Sequence, residues 1–296
     1  MEYYPYALQF PFTKTILNFR ELTCSEQAML CKINNTLPPT YEYRSDYQEV
    51  LLEILQSTLK RKSNIDNLDI VEFLMFVIRL RAVSIGSSVE FVIGEEEEEK
   101  KKKIKFDLYS LLKNVFDIGH VLYEYDLIES EDIEVKLKWP DLKSEYHFLN
   151  LISKNNTEKF LSTMCEFVEY IKIKSQTFNF KTLRTKEREE LFDVLPISVK
   201  NIIQTNIISL LQRVSEMPLF ELQEFENYKF EFYNSTIQDI IRFIFANNEN
   251  SLMVENVFLM NKGFTLTDID SMSPMAKQNY INHFAEQDNN KNGEVQ

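Results

Sequence analysis

Residues Ile65–Phe91 read IDNLDIVEFLMFVIRLRAVSIGSSVEF, and after a charged block the chain resumes as IKFDLYSLL from Ile104 to Leu112. Asp69 with Glu72 three residues on is a capping-box pattern, which starts a helix by satisfying its first free N–H groups. From there Ile70, Val71, Phe73, Leu74, Phe76, Val77, Ile78 and Leu80 occupy nearly every side of a helical projection. A helix that is apolar all round belongs in the core of its domain. Leu80, Arg81 and Ser84 close it, and Gly86 can adopt the left-handed turn that reverses the chain. Arg79 and Arg81 near the carboxyl end suit the helix dipole. Val89, Phe91 and Ile93 then alternate with other residues, as do Ile104 and Phe106, so a strand and its return follow.

Between the two strands lies EEEEEKKKK, Glu95 to Lys103. Two readings stand open. The block is a solvated loop, or the chain folds back between Glu99 and Lys100. In that case Glu98 opposes Lys101, Glu97 opposes Lys102 and Glu96 opposes Lys103. Opposed charges across an antiparallel pair contribute roughly 0.2–1 kcal/mol each.

Upstream, an extended aromatic arm (YYPYALQFPF, Tyr3–Phe12) leads to Thr23 and Glu26, a second capping box, with Ala28, Leu30 and Ile33 in helical spacing. Pro38 and Pro39 end that helix, and another is expected from about Asp46 to Lys60. Downstream, Leu108, Leu111, Leu112 and Val115 mark an amphipathic helix ending at Gly119. Ile133, Val135 and Leu137 form a strand stopped at Trp139-Pro140. A composition shift places a boundary near residue 145. We expect an N-terminal α+β domain over 1–145 containing the Glu/Lys-rich hairpin, a mainly helical domain over 146–287 and a disordered tail over 288–296. In the second half Phe160, Leu161, Met164, Phe167, Val168 and Ile171 read as one helical face. Ser198 reads as the cap of a long helix, Tyr228–Tyr233 as a short strand, and Ser273-Pro274 as the start of the last helix. The fold class is α+β and predominantly helical: helical bundles with a small antiparallel hairpin or sheet at about 89–106 and 133–139.

Composition narrows the function. The 296 residues are 44% hydrophobic with five glycines and eight prolines, which favours helices over a fold built from many hairpins. The net charge of −13 opposes a phosphate backbone, so nucleic acid is not an expected partner. The opening segment has no signal-peptide pattern, and no apolar run reaches the length of a membrane span. Cys24, Cys31 and Cys165 read as buried thiols in a reducing compartment. His120, His147 and His283 are scattered, with no HExxH or CxxC, and the glycines form no phosphate-binding loop. No catalytic residue, metal ligand, cofactor or small-molecule substrate is expected. The arm residues Tyr3, Tyr4, Tyr6, Phe10 and Phe12 are candidates for partner contact, because aromatics bury large areas at low entropic cost.

The segment from Ile65 to Phe106 resembles the T4-like phage baseplate hub subunit family, which shares the aspartate-led apolar helix, the L-R-x-x-S-x-G stop, the strand and its return. The resemblance extends backward to LTCSEQAMLCKINN (Leu22–Asn35) and forward to IEVKLKWPDL (Ile133–Leu142), with weaker echoes at Leu210–Leu222, Tyr228–Phe245 and Met272–Ile281. The motif residues here are Arg79, Arg81, Ser84, Gly86, Trp139 and Pro140, which the residue-level reading assigns to helix termination and packing. Some relatives carry cysteines in the strand return where this chain has its Glu/Lys block, so a metal-stabilised hairpin is not carried over. The resemblance implies a hub component or assembly chaperone in the cytoplasm of an infected bacterium or in the tail baseplate. Its partners would be other baseplate or hub proteins, with homo-oligomers an open possibility. The alternative is an adaptor or regulatory module binding a host protein.

Overall fold

The structure, a computed structural model, describes residues 3–36, 44–61, 65, 68–93, 102–130, 132–141, 164–221, 229–231, 237–245 and 249–293. Contacts divide the chain into two compact units. One comprises Met1–Ser63, Phe76–Tyr109 and Gln238–Gln296, and the other Asn64–Met75 and Ser110–Ile237. The boundary expected near residue 145 and most of the Glu/Lys block lie outside the described residues.

The first unit opens with a hairpin rather than an open arm. Strands β1 (Tyr6–Gln9) and β2 (Ile16–Phe19) pair antiparallel, and Lys14 takes a positive φ of 60° in the turn. Leu17 and Phe19 alternate inward along β2 while Ile16 and Asn18 face out. Helix α1 (Cys24–Thr36) follows, and its amino end is the capping box read from sequence. The Glu26 N–H donates to Thr23 Oγ1 at 3.2 Å, and the Thr23 N–H donates to Glu26 Oε2 at 2.8 Å. Glu26 also receives a two-pronged pair from Arg20, at 2.8 and 2.7 Å, and the Ser57 hydroxyl. Burial pushes the Glu26 carboxyl up, but these hydrogen bonds outweigh it and hold the group below its ordinary value. Helix α1 packs against α2 (Arg44–Ser57) and against the helices Glu249–Asn261, Leu266–Ser271 and Pro274–Gly293. The last of these starts as read, with Ser273 Oγ accepting from the Ala276 N–H at 3.3 Å.

Helix α3 (Ile70–Ser84) is buried along its length: the eight apolar residues singled out above have exposures of 2% or less. Burying such side chains contributes ~1.5–3 kcal/mol each before entropy is charged against them. Strands β3 (Ser88–Ile93) and β4 (Lys102–Asp107) form the expected hairpin, but in a different register from the charge-paired one. Lys102 sits across from Ile93 and Lys103 across from Val92, four positions away from Glu97 and Glu96. The observed register sets Val89 against Phe106 and Glu90 against Lys105, so apolar and charged faces are matched at the helix-proximal end, where Val89 is buried. Burial of one face specifies register more strongly than exposed charge pairs can. Helix α4 (Leu108–Val121) then runs through Gly119 instead of stopping there.

The second unit holds a four-stranded antiparallel sheet in the order β5-β6-β7-β8: Leu127–Ser130, Ile133–Leu137, Val168–Ile173 and Gln176–Asn179. Strand β7 corrects the reading of Phe160–Ile171 as one helical face, since Val168 and Ile171 belong to a strand. Its outer partner β8 is reached through Lys174, at φ 54°. The long helix starts at Ile197, one residue before the serine expected to cap it, with Pro196 in the cap position. It buries Val199, Ile203, Ile207, Leu210, Leu211 and Val214 along one face and packs on β5. Strands β9 (Pro218–Glu221) and β10 (Lys229–Glu231) pair antiparallel, the latter inside the strand expected at 228–233.

The start of α3 is where the quoted segment and the Trp-Pro strand end meet. The Ile70 N–H donates to the Pro140 carbonyl at 3.0 Å, and Asp69 bridges to Asp141 across antiparallel backbone. Trp139 is buried and its indole N–H donates to the carbonyl of Gly119 at 3.2 Å. Asp69 Oδ1 accepts from the Glu72 N–H at 2.8 Å, as a cap should. Burial pushes the Asp69 carboxyl up to about 7, reinforced by the nearby Glu72 and opposed by the N–H groups of Glu72 and Val71 and by Lys138. Asp69 thus holds a proton more tightly in the folded chain than in the unfolded one. The stability linked to it is complete below its ordinary value of 3.8 and is lost as the pH rises through about 7. Asp69→Asn keeps the acceptor but removes the titration. Between pH 4 and pH 7 the native chain should lose on the order of 2–4 kcal/mol more stability than this variant, read from urea denaturation at both pH values.

Candidate interaction site

The motif residues separate into buried fasteners and a surface cluster. Arg81 is 5% exposed and sits on the last turn of α3. Its Nε donates to the Ile244 carbonyl at 3.1 Å, Nη1 to the Gly86 carbonyl at 2.7 Å and Nη2 to the Ser88 carbonyl at 3.3 Å. Ile244 ends the helix Ile237–Ile244, so the guanidinium satisfies an end carbonyl of a second helix and complements its dipole. Burial lowers the Arg81 pKa to about 10, which leaves the charge intact at neutral pH. Gly86 has φ 131°, the positive-φ turn expected, and offers the shortest of the three acceptors. Ser84 is fully buried and its hydroxyl oxygen accepts from the Leu22 N–H at 2.9 Å, tying the β2–α1 connection to the end of α3. Trp139 and Pro140 fasten the other end of α3, as described.

Arg79, two residues before Arg81, faces the other way. It is half-buried, donates to the Tyr109 hydroxyl at 3.1 Å and places its guanidinium 5.9 Å from the centre of that ring. It also lies close enough to Tyr6 to act on its hydroxyl electrostatically. The Tyr6 hydroxyl donates to Glu21 Oε1 at 2.6 Å, and this bond, with burial and the Glu21 charge, pushes the phenol up to about 12. Tyr3 is 79% exposed beside it. Tyr3, Tyr6, Arg79 and Tyr109 therefore form one surface cluster, in residue types that dominate binding energy at protein interfaces.

The other arm candidates differ. Tyr4 and Phe12 are half-buried, while Phe10 is fully buried and belongs to the core. The cluster opens onto a recess of about 450 Å³ lined by Tyr3, Pro5, Tyr6, Arg20, Glu21 and Thr23, among others. Tyr109 was missed in the sequence because the helical pattern around it drew attention to Leu108, Leu111 and Leu112. Its signal was present, since it lies off that apolar face.

Chemistry of other kinds finds little purchase. Cys24, Cys31 and Cys165 are all buried, and desolvation pushes the Cys24 and Cys165 thiols up to about 11 and 12, away from thiolate character. The ring of His120 lies 4.4 Å from that of Phe116 and 5.5 Å from that of Tyr123. His147 lies outside the described residues. Among the described residues no group of three or more His, Cys, Asp or Glu side chains could hold a metal ion, and no single helix is long and apolar enough to cross a membrane.

A family model described as T4 bacteriophage base plate protein matches residues 1–219, a span containing every motif and arm residue named above. No curated protein and no solved structure matches the chain. The prediction from this geometry concerns Arg81. Arg81→Ala leaves the buried Ile244 carbonyl and the part-buried Gly86 and Ser88 carbonyls without this donor and should cost about 3 kcal/mol of stability in urea denaturation. Arg81→Lys should recover only part of that, because an ammonium cannot span the fork of acceptors.

Proposed function

The chain belongs to the T4 bacteriophage base plate protein family, and we propose that its place there is the central baseplate hub. It acts in hub assembly through protein–protein contacts, either as a structural component or as an assembly chaperone. The family match over 219 of the 296 residues supports a baseplate protein, and the resemblance of the segment Ile65–Phe106 to hub subunits favours the hub within it. The surface supports it: Tyr3 and Tyr109 are exposed, Arg79 is held against Tyr109, and a recess beside them can accept a side chain of a partner. In this reading the role is non-catalytic.

Co-expression with the neighbouring tail genes, followed by size-exclusion chromatography, should give a complex containing another baseplate protein. Elution of this chain alone, or recovery of host factors only, sinks the hub reading. Mass spectrometry of purified virions separates the two roles, since stoichiometric presence is expected of a component and absence of a chaperone. A second prediction concerns the contact surface. Combining Tyr3→Ala with Tyr109→Ala should weaken the complex by at least about tenfold while leaving the thermal midpoint of the free chain within a few degrees.

A further inference from the structure

The recess beside the tyrosine cluster is built wholly within the first unit, from three pieces of chain. Strand β1 and the residues before it supply Tyr3 and Tyr6, the β2–α1 connection supplies Arg20 and Glu21, and the turn before the last helix supplies Ser273. Two charged side chains line it, and they differ in what holds them. The Arg20 guanidinium is engaged. It pairs with Glu26 at 2.8 and 2.7 Å and donates to the Glu21 and Ser57 carbonyls at 2.8 and 3.1 Å. The Glu21 carboxylate is half-buried and meets a neutral donor, the Tyr6 hydroxyl, at 2.6 Å on Oε1. Among the described residues no lysine or arginine forms an ion pair with Glu21, and no hydrogen bond reaches its Oε2. Arg79 stands with Tyr109 outside the lining.

We propose that this recess receives an arginine side chain of a partner protein, with the guanidinium against Glu21 and its flat face beside the Tyr3 ring. Charge selects the occupant. A half-buried carboxylate with no cation beside it is best met by a donor of opposite sign, because a charge-assisted hydrogen bond is roughly twice as strong as a neutral one. The net charge of −13 draws basic segments toward the chain and repels acidic ones. Shape favours arginine over lysine, since a planar guanidinium stacks on an aromatic ring while donating in its own plane. Tyr3 offers an exposed ring, whereas Tyr6 is a fixed wall, tied to Glu21 by its hydroxyl and packed 5.6 Å from the Phe19 ring. At about 450 Å³ the recess admits the side chain together with its adjoining backbone, since ligand pockets span about 300–1,000 Å³. The inference rests on the contact surface proposed above and names the chemistry that the partner brings to it.

Titration of the isotope-labelled full chain with the peptide acetyl-Gly-Arg-Gly-amide, followed by amide nuclear magnetic resonance, tests it without any tail protein. The amides of Tyr6, Glu21 and Thr23 should shift and saturate with a Kd on the order of 1–10 mM, weakening as salt is added. The same peptide with citrulline in place of arginine has the shape without the charge, and should bind at least about fivefold more weakly. Glu21→Gln keeps an acceptor for the Tyr6 hydroxyl and should weaken the arginine peptide to the same degree, and Tyr3→Ala, at an exposed position, by about twofold or more. No shift at these amides overturns the proposal, as does equal binding of the citrulline peptide or indifference to Glu21→Gln. A baseplate complex that forms in co-expression while the peptide shifts nothing removes this inference and leaves the hub reading standing. Peptide binding without such a complex does the reverse.

Discussion

The guanidinium of Arg81 enters the core of the first unit at the end of α3, and the hydrogen bonds that receive it come from backbone carbonyls at three points: the Gly86 turn, the first residue of β3 and the end of the helix Ile237–Ile244. A buried cation is expensive to desolvate, and the lowered Arg81 pKa expresses that cost. Its planar fork offers donors in fixed and divergent directions, which a lysine cannot do. Three segments that leave the core in different directions are held to one group. The group thereby ties together the positive-φ turn at Gly86, the start of the hairpin and the end of the helix that carries the buried Ile240, Ile241 and Ile244. Ser84 does the same on a smaller scale for the strand leading into α1.

In the second unit the corresponding constraint is a set of backbone partners rather than a charge. The start of α3 is closed by the Asp69 carboxyl and by the Pro140 carbonyl, while Trp139 anchors that strand end to α4 through Gly119. Two stretches of family-like sequence some seventy residues apart are thus parts of one joint. Proline suits the position because it lacks an N–H to leave unpaired while still offering its carbonyl. The contacts these residues make in the structure are those of packing and helix termination.

How far the sequence could be read depended on the range of each interaction. The burial of α3, the Thr23–Glu26 cap, the Gly86 turn and the existence of the β3–β4 hairpin follow from local pattern, and they stand. The hairpin register did not, because the Glu/Lys block offers a charge alignment that competes on paper with an apolar one. Val168–Ile171 was misread because its apolar residues fit helical spacing as extended back to Phe160, while β7 is defined by its neighbours β6 and β8. Arg81 could be placed at a helix end but not assigned its acceptor at Ile244, which lies 163 residues away. In the arm, Tyr3 and Phe10 look equivalent as letters. Only the folded hairpin turns one into water and the other into the core.

That separation of 163 residues between Arg81 and Ile244 also sets an order of events during synthesis. A ribosome adding about 5–20 residues per second needs roughly 8–33 s to deliver the second after the first. Through that interval α3 is present without the acceptor that completes its end, and the unit built from the two ends of the chain stays open. The stretch Ser110–Ile237 is complete before the closing segment emerges, so the chain can finish its middle before its beginning. A stop or pause shortly before Ile237 would leave α1 without the helices Glu249–Asn261, Leu266–Ser271 and Pro274–Gly293 that pack on it. For this protein the rate of translation through the segment Gln238–Gln296 is therefore part of its folding problem.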